Sequence, residues 1–204
     1  MSWFRRTPLA ESRWIVIDCE TSGLDPARDR LLSVAAIEVA RERVNAARSY
    51  SAVLGQQEPS APDNILVHGI GASDQLAGRP PGEVLREFVA FLGDAVPVAF
   101  HAPFDEAVLD KACKQADVRS PRKRWLDLAG LGPVLFPDRK GNDLDSWLAV
   151  FGIECDARHD ALNDAYATAQ LLLVMLERAK REGVATAEGL LKLASSGRWL
   201  PRAR

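Results

Sequence analysis

The chain lacks the features that mark secreted, zinc-finger and membrane-spanning proteins. It has only three cysteines in 204 residues, Cys19, Cys113 and Cys155, and their spacing matches neither a disulfide scaffold nor a zinc site. No apolar run approaches the roughly 18 residues of a membrane span. The first 12 residues also lack the uninterrupted apolar segment of a signal peptide. We therefore expect a cytoplasmic protein with reduced thiols and no membrane partner.

A strong net charge is also absent. The sequence carries 26 Lys and Arg against 28 Asp and Glu, which gives a formal net charge of −2. Any binding of nucleic acid must then come from local basic clusters or from cations held at a site. Two basic clusters occur, at 119–124 and 178–181, and the sequence leaves open whether they contact a substrate or are solvated surface.

The apolar pattern is that of a single α/β domain. Strands are predicted at 14–20, 31–40 and about 46–54, followed by a short buried strand at 97–101. Helical spacing predicts helices at 83–92, 104–116, 125–136, 144–150, within 159–182 and at about 185–195. This order predicts a mixed sheet flanked by helices.

The domain is expected to cover 13–183. An N-terminal arm at 1–12 precedes it, and a C-terminal helix and tail at 184–204 pack on it or extend from it. At this length a single domain has room for a full hydrophobic core.

Two carboxylates stand where the first predicted strand ends. Asp18 and Glu20 are two residues apart, so their side chains point to the same face of the strand, whereas Cys19 points away. Like charges 4 Å apart repel by about 4 kcal/mol at an effective dielectric near 20. We therefore expect a cation between them, although such a pair, taken alone, is more often simply solvated.

Three further polar residues follow other predicted elements. Asp105 opens a helix just beyond the strand at 97–101, where helix dipoles favour any acid and where open α/β sheets also keep their sites. Five residues along a helix correspond to about 140° of rotation, so we place His159 in a loop and Asp164 on the sheet-facing side of the last long helix. Together with Asp18 and Glu20 this makes four carboxylates, which suit two Mg²⁺ or Mn²⁺ ions and in-line phosphoryl displacement.

Three segments carry a family resemblance. IDCETSGLDP, AFHAPFDEAVL and HDALNDAYATAQLL resemble the three motifs of the DEDDh family of 3′–5′ exonucleases. This family includes the proofreading epsilon subunit of bacterial DNA polymerase III, ribonuclease T and oligoribonuclease. The resemblance runs from about residue 14 to residue 176, and it implies a ribonuclease H-like fold with a central five-stranded mixed sheet.

The resemblance also implies catalytic roles. Asp18 is expected to bridge two divalent cations, Mg²⁺ or Mn²⁺. Glu20 and Asp164 are expected to hold the ion that activates water, and Asp105 to bind the second ion. His159 is expected to be the general base, which suits an imidazole that titrates near neutral pH in a loop.

Contacts with the substrate are implied in the same way. Thr21, Ser22 and Gly23 would offer backbone groups to the terminal nucleotide, and Leu24 would wedge against its base. Phe104 would pack beneath the site or against the substrate, and we favour core packing for it.

One position departs from the family pattern. The family usually has asparagine after the histidine of its second motif, where this chain has Ala102 followed by Pro103. Asp105 is retained, so we expect activity to survive, while the contacts between this loop and the substrate stay open. His68, in the segment VHGI, matches a family segment that precedes a helix, and we interpret it as structural.

The expected function is release of nucleoside monophosphates from the 3′ end of single-stranded nucleic acid, with DNA slightly preferred. The residues leave two alternatives open. One is an exoribonuclease that trims RNA or degrades short oligonucleotides. The other is a catalytically silent nucleic-acid-binding subunit that docks on a polymerase. A polymerase partner is compatible with the main reading as well, and the oligomeric state is left open.

Overall fold

A single mixed sheet organises the molecule. The structure is a computed structural model, and it describes residues 7–155 and 159–197. The strands lie in the order β3-β2-β1-β4-β5: β1 (Arg13–Thr21), β2 (Leu31–Ala40), β3 (Arg43–Val53), β4 (Val96–Ala99) and β5 (Leu126–Asp127). The first three strands are antiparallel neighbours, while β4 and β5 run parallel to β1. The predicted five-stranded mixed sheet is confirmed.

Helices cover both faces of this sheet. They are α1 (Pro62–His68), α2 (Ala72–Leu76), α3 (Pro81–Leu92), α4 (Ala102–Gln115), α5 (Leu128–Leu135), α6 (Leu144–Phe151), α7 (Ala161–Arg181) and α8 (Ala187–Gly197). In the described part of the chain, no helix is both long and apolar enough to cross a membrane.

Strand β1 lies at the centre of the sheet with both faces covered. Ile15 and Ile17 belong to the core cluster that also contains apolar residues of α3 and α4. Trp14 and Val16 belong to the opposite cluster, which contains residues of α7 and α8. Because strand side chains alternate between faces, a strand buried on both sides reads as a continuous apolar run. Each such buried side chain contributes roughly 1.5–3 kcal/mol.

One helix prediction was wrong at its start. Residues 125–136 were expected to form a helix, but Leu126 and Asp127 pair with β4 as the short strand β5, and α5 begins at Leu128. Two residues are too few to show the alternation of a strand. The short helices α1 and α2 were not predicted either, because glycine and proline interrupt that segment.

The segment before β1 packs against the start of α8. Leu9 is buried, and its N–H donates to the carbonyl of Ala185 at 3.1 Å, while the N–H of Ala187 donates to Thr7 at 3.2 Å. Helix α8 packs into the same core as α7. The parts of the expected arm and tail at 1–6 and 198–204 lie outside the described residues.

Helix α5 packs against the indole of Trp147, and this contact predicts a large effect of one methyl group. A Cβ added at Gly132 would lie 2.7 Å from Cζ2 of Trp147, whose side chain is fully buried. We expect Gly132→Ala to lower the free energy of unfolding by about 1–3 kcal/mol through overpacking, measured by urea denaturation.

Gly189→Ala provides the matched control. A Cβ there would approach Thr186 and Val184 no closer than 3.3 Å. Alanine favours a helix over glycine by about 1 kcal/mol, so this variant should be as stable as the natural chain or slightly more so. Equal stabilities of the two variants would contradict the close contact at Gly132.

Candidate active site

Three acids meet at the end of the central strand. Asp18 and Glu20 lie near the end of β1, and Asp164 lies in the first turn of α7. One carboxylate oxygen from each lies within 4.8 Å of the others. Helix α7 reaches the strand closely because the residues on its inner face are small, with Ala165 and Ala169 fully buried.

This group of acids fits a divalent cation. Asp18 and Glu20 are half-buried and Asp164 is buried, so three like charges share a space with restricted access to water. Their mutual repulsion favours a bound cation. Carboxylate oxygens are the donors that Mg²⁺ and Mn²⁺ prefer.

Two residues that precede α7 contact the carboxylate of Asp164. Its Oδ2 accepts the backbone N–H of His159 at 2.9 Å, and the thiol of Cys155 lies 3.5 Å from its Oδ1. His159 has φ of 62°, a left-handed conformation that is uncommon for residues other than glycine. Its side chain is exposed, directly before the N-cap residue Asp160. The backbone of His159 therefore supports the carboxylate of Asp164.

Asp105 lies apart from this group. It is buried in the first turn of α4, where it hydrogen-bonds with the thiol and the backbone N–H of Cys19. Burial raises the pKa of Asp105, and the nearby Asp127 carboxylate raises it further, although the hydrogen bonds from Cys19 oppose the shift. Burial also raises the pKa of the Cys19 thiol, so this thiol stays protonated and donates to the carboxylate. The structure thus brings three of the four predicted acids within 4.8 Å of one another, while the fourth, Asp105, is hydrogen-bonded to Cys19, the residue between Asp18 and Glu20.

Asp127 is a residue that the sequence analysis missed. It is the last residue of β5, it is buried, and its carboxylate accepts the N–H of Ala102 at 3.3 Å. This contact fixes the start of α4 and therefore the position of Asp105. The signal was an acid inside an apolar stretch, Trp125 to Leu128, in a segment that was interpreted as a helix.

The loop after β1 presents the residues predicted to contact substrate. The hydroxyl of Thr21 donates to the carbonyl of Gly23 at 2.6 Å, and the N–H of Ser22 donates to Arg30 at 3.0 Å. The N–H of Ser22 is therefore already engaged within the loop. Leu24 is 91% exposed, which is unusual for an aliphatic side chain. In contrast, Phe104 is half-buried and packs against the core cluster of α3 and α4.

A second exposed apolar surface lies beside His159. Leu66 and Val67 of α1 are 83% and 54% exposed. They line a cavity of about 410 Å³ together with Val53, His68, Gly69, Ile70, Asp74, His159 and Asp160. No role for Leu66 or Val67 followed from the sequence, because an apolar pair on so short a helix is indistinguishable from core.

Helices α1 and α2 belong to an excursion, residues 55–78, whose two ends touch. A Cβ at Gly78 would lie 2.6 Å from the nitrogen of Gly55, and a Cβ at Gly55 would lie 2.7 Å from the carbonyl oxygen of Gly78. The N–H of Gly55 also donates to the carbonyl of Arg79 at 2.8 Å. We call this contact the Gly55–Gly78 clasp. It allows the excursion to project toward the site without separating β3 from α3.

A buried polar network holds the excursion in shape. Nδ1 of His68 accepts the N–H of Ile70 at 3.0 Å, and Nε2 lies 2.8 Å from the side-chain oxygen of Asn64. The side chain of Gln75 bridges Ser60, accepting its N–H at 2.8 Å and donating to its hydroxyl at 3.0 Å. His68 is therefore neutral and structural in this arrangement, and the interpretation of this residue from the sequence agrees with its contacts.

This network predicts a pH-dependent stability. Burial lowers the pKa of His68 below its ordinary value of 6.5, and a proton on Nδ1 would face the N–H of Ile70. The unfolded chain thus binds the proton more tightly than the folded chain. The stabilisation is present above pH 6.5 and is lost as the pH falls toward the lowered pKa. We expect the free energy of unfolding to fall between pH 7 and pH 5 more steeply in the natural chain than in His68→Gln. The same dependence of the free energy of unfolding on pH in the two proteins would exclude His68 as its origin.

The two basic clusters differ in how far they are paired with acids. Arg124 pairs with Glu188 at 2.7 Å, and Lys123 donates to the carbonyl of Ala95 at 3.1 Å. In the second cluster, Arg178, Lys180 and Arg181 pair with Glu182, Glu42 and Glu177 at distances of 2.7–3.1 Å. These pairs favour the interpretation of the cluster at 178–181 as solvated surface, and the role of the cluster at 119–124 stays open.

Comparison with known sequences places this site in a family. A family model described as exonuclease, of the RNase T type, matches residues 15–172. The chain belongs to this exonuclease family. The match contains both acids of β1, Asp105, His159 and Asp164.

Two relatives of this chain carry DNA polymerase III in their names. DNA polymerase III PolC-type of Halalkalibacterium halodurans is 33% identical over 178 residues, which cover 87% of this chain and 12% of that protein. A DNA polymerase III subunit epsilon-like protein of Rhodobacter capsulatus is 32% identical over 184 residues, covering 88% of this chain and 26% of that protein. The chain thus spans only a minor part of the length of these relatives.

Solved structures share the fold of this chain. The zinc-bound complex of E. coli exonuclease I with single-stranded DNA superposes with a TM-score of 0.73 at 21% identity, over 84% of this chain and 42% of that chain. Exonuclease X in complex with 5′-overhanging duplex DNA gives a TM-score of 0.68 at 21% identity, over 89% of this chain and 99% of that chain. At these identities the likeness shows the fold, and it confirms the ribonuclease H-like architecture.

Proposed function

We propose that this chain is a 3′–5′ exonuclease that uses two divalent cations, Mg²⁺ or Mn²⁺, to release nucleoside monophosphates from single-stranded DNA. The observation that carries the proposal is the meeting of Asp18, Glu20 and Asp164 within 4.8 Å at the end of β1, in a chain that belongs to an exonuclease family. The three thiols that the structure describes favour the cytoplasm as the compartment.

The four acids and His159 would have separate roles. Asp18, Glu20 and Asp164 would hold the first cation, and Asp18 with Asp105 would hold the second. When bound, such ions act as Lewis acids on the phosphate and lower the pKa of water. His159 would accept the proton of the attacking water, since its side chain is exposed and its backbone N–H binds the carboxylate of Asp164.

Substrate contacts would come from two apolar surfaces. Leu24 stands on the loop after β1, and Leu66 and Val67 line the cavity that contains His159. Exposed aliphatic side chains can pack on the open faces of unpaired bases, which is compatible with a single-stranded 3′ end. Thr21 and Gly23 would add backbone contacts to the terminal nucleotide, whereas Phe104 would support the site from the core.

The direction of cleavage and the substrate can be tested together. Matched single-stranded DNA, single-stranded RNA and mismatched primer ends, labelled at either end, would be incubated with Mg²⁺ or Mn²⁺. We expect a ladder of shortened products from the 5′ label and immediate release of mononucleotide from the 3′ label, fastest for DNA. The reverse label pattern would contradict the polarity, and faster loss of RNA would favour the exoribonuclease alternative. No release with either ion would favour a silent docking subunit.

A polymerase partner is a second part of the proposal. It is supported by the relatives, which are named as polymerase III components and extend well beyond the matched segment. Co-purification of the chain with a replicative polymerase from its own cells, and a change in processivity on primer ends, would support this partner.

A further inference from the structure

The loop between β1 and β2 is braced from within by a single carboxylate. Oδ2 of Asp29 accepts the backbone N–H of Asp25 at 2.8 Å, and Oδ1 accepts the hydroxyl of Ser22 at 3.1 Å. The hydroxyl of Ser22 in turn accepts the N–H of Arg30 at 2.9 Å. Both oxygens of Asp29 thus bind groups of its own loop, on either side of Leu24.

Gly23 lets this carboxylate come close. A Cβ at Gly23 would lie 2.5 Å from Oδ2 of Asp29 and 2.7 Å from its Cγ. Only a residue without a side chain permits the contact. The loop is therefore closed tightly at the point just before Leu24.

Asp29 also connects the loop to α4, the helix that carries Asp105. The ammonium group of Lys111, two turns along α4, donates to the backbone carbonyl of Asp29. The loop is consequently anchored both to the end of β1, where Asp18 and Glu20 lie, and to α4. This double anchorage fixes the position of Leu24 relative to the acids on both elements.

The hydrogen bonds of this loop do not bury the side chain of Leu24. Its side chain is 91% exposed, so the brace holds an apolar group in water. Fixing a contact group before binding reduces the ordering that binding itself requires. An ordered loop that presents an exposed aliphatic side chain beside a candidate catalytic site is explained if that side chain contacts a ligand.

We propose that Asp29 is a positioning residue, which sets Leu24 against the terminal base of the substrate without touching the reacting atoms. The proposal rests on the proposed function, because it takes the substrate to be a nucleic acid 3′ end. It predicts that loss of Asp29 weakens substrate binding and leaves the catalytic step largely intact.

Asp29→Asn is the direct test, since asparagine keeps the shape but replaces one acceptor oxygen with a donor group. Loss of a hydrogen bond to a charged acceptor predicts a rise in KM of roughly tenfold, with kcat changed by less than about threefold. Ser22→Ala, which removes the partner of Oδ1, should shift KM in the same direction. Glu58→Gln is the matched control. It removes one negative charge from an exposed acid that pairs with the neighbouring Arg30 at 3.6 Å, and it should leave KM unchanged.

A double-mutant cycle separates positioning from a general loss of structure. If Asp29 acts through Leu24, then Asp29→Asn should raise KM little further in a Leu24→Ala background. Additive effects of the two substitutions would overturn the proposal. So would a fall in kcat equal to the fall in kcat/KM.

Two measurements keep the proposal testable if the natural chain shows no nuclease activity. Hydrogen exchange at the amide of Asp25 should accelerate in Asp29→Asn, since that amide loses its acceptor. Affinity for a fluorescent single-stranded oligodeoxynucleotide, measured by anisotropy without catalysis, should fall by roughly tenfold. Activity without any effect of Asp29→Asn would overturn this inference alone, whereas absence of both release and binding in the natural chain would overturn the proposed function with it.

Discussion

Asp18→Asn is expected to abolish nucleotide release, with a loss of kcat on the order of 10³-fold or more, equivalent to about 4 kcal/mol of barrier. Asp18 is shared by both proposed cations, so an amide in its place removes charge from both. The substitution should be measured on 5′-labelled single-stranded DNA at saturating Mg²⁺ and again at saturating Mn²⁺.

The same variant should change the response of stability to metal. A cation that binds only the folded chain raises the free energy of unfolding by about 2.7 kcal/mol at 100 times its Kd. The thermal midpoint of the natural chain should therefore rise with Mn²⁺, and that of Asp18→Asn should rise much less. In the absence of metal the variant should be at least as stable as the natural chain, because one of three neighbouring like charges is gone. Asp138→Asn, an exposed acid in the turn after α5, serves as the charge-matched control. Full activity of Asp18→Asn would refute the proposed site.

His159→Ala is the second substitution with a large expected effect. Loss of a general base lowers the rate by about 10²–10⁴-fold, and we expect this loss in kcat while KM stays within a few-fold. The rise in thermal midpoint with Mn²⁺ should be preserved, since the backbone N–H that supports Asp164 remains at position 159. A variant that lost the response to metal as well would assign His159 to metal binding instead of proton transfer.

Alanine also tests the unusual backbone of this position. The left-handed conformation disfavours alanine more than asparagine, so His159→Asn should match His159→Ala in activity but exceed it in stability. Equal loss of activity in the two variants would trace the defect to the imidazole and not to the loop.

The sequence predicts the half of the site that is local. Asp18 and Glu20 follow from the alternation of side chains along one strand, and their placement depends on no other element. The distance between His159 and Asp164 along the chain similarly requires a loop residue and a helix residue, and helix α7 begins at Ala161. Such inferences use only the geometry of single elements, so they transfer directly to the fold.

The parts that depend on packing between elements were not predictable in this way. The burial of Asp105 beside Cys19 depends on how α4 meets β1, and the alternation that turns Cys19 away from Asp18 gave no indication of that partner. Asp127 lies in a strand of two residues, which pairs only because β4 is already in place. The exposure of Leu66 was likewise not predictable, because α1 is too short to show a periodic pattern.

The Gly55–Gly78 clasp makes the excursion between β3 and α3 an exchangeable cassette. Its two ends leave the body of the molecule side by side, so an insert of another length can join them if the contacts of Gln56 with Leu31 and of Glu58 with Arg30 are kept. The excursion lines the cavity beside His159, whereas the three neighbouring acids lie on β1 and α7. The corresponding segment of an exonuclease that shares this fold could be grafted between these two glycines. Such chimaeras would keep the acids on β1 and α7 and differ in the nucleic acids that they bind.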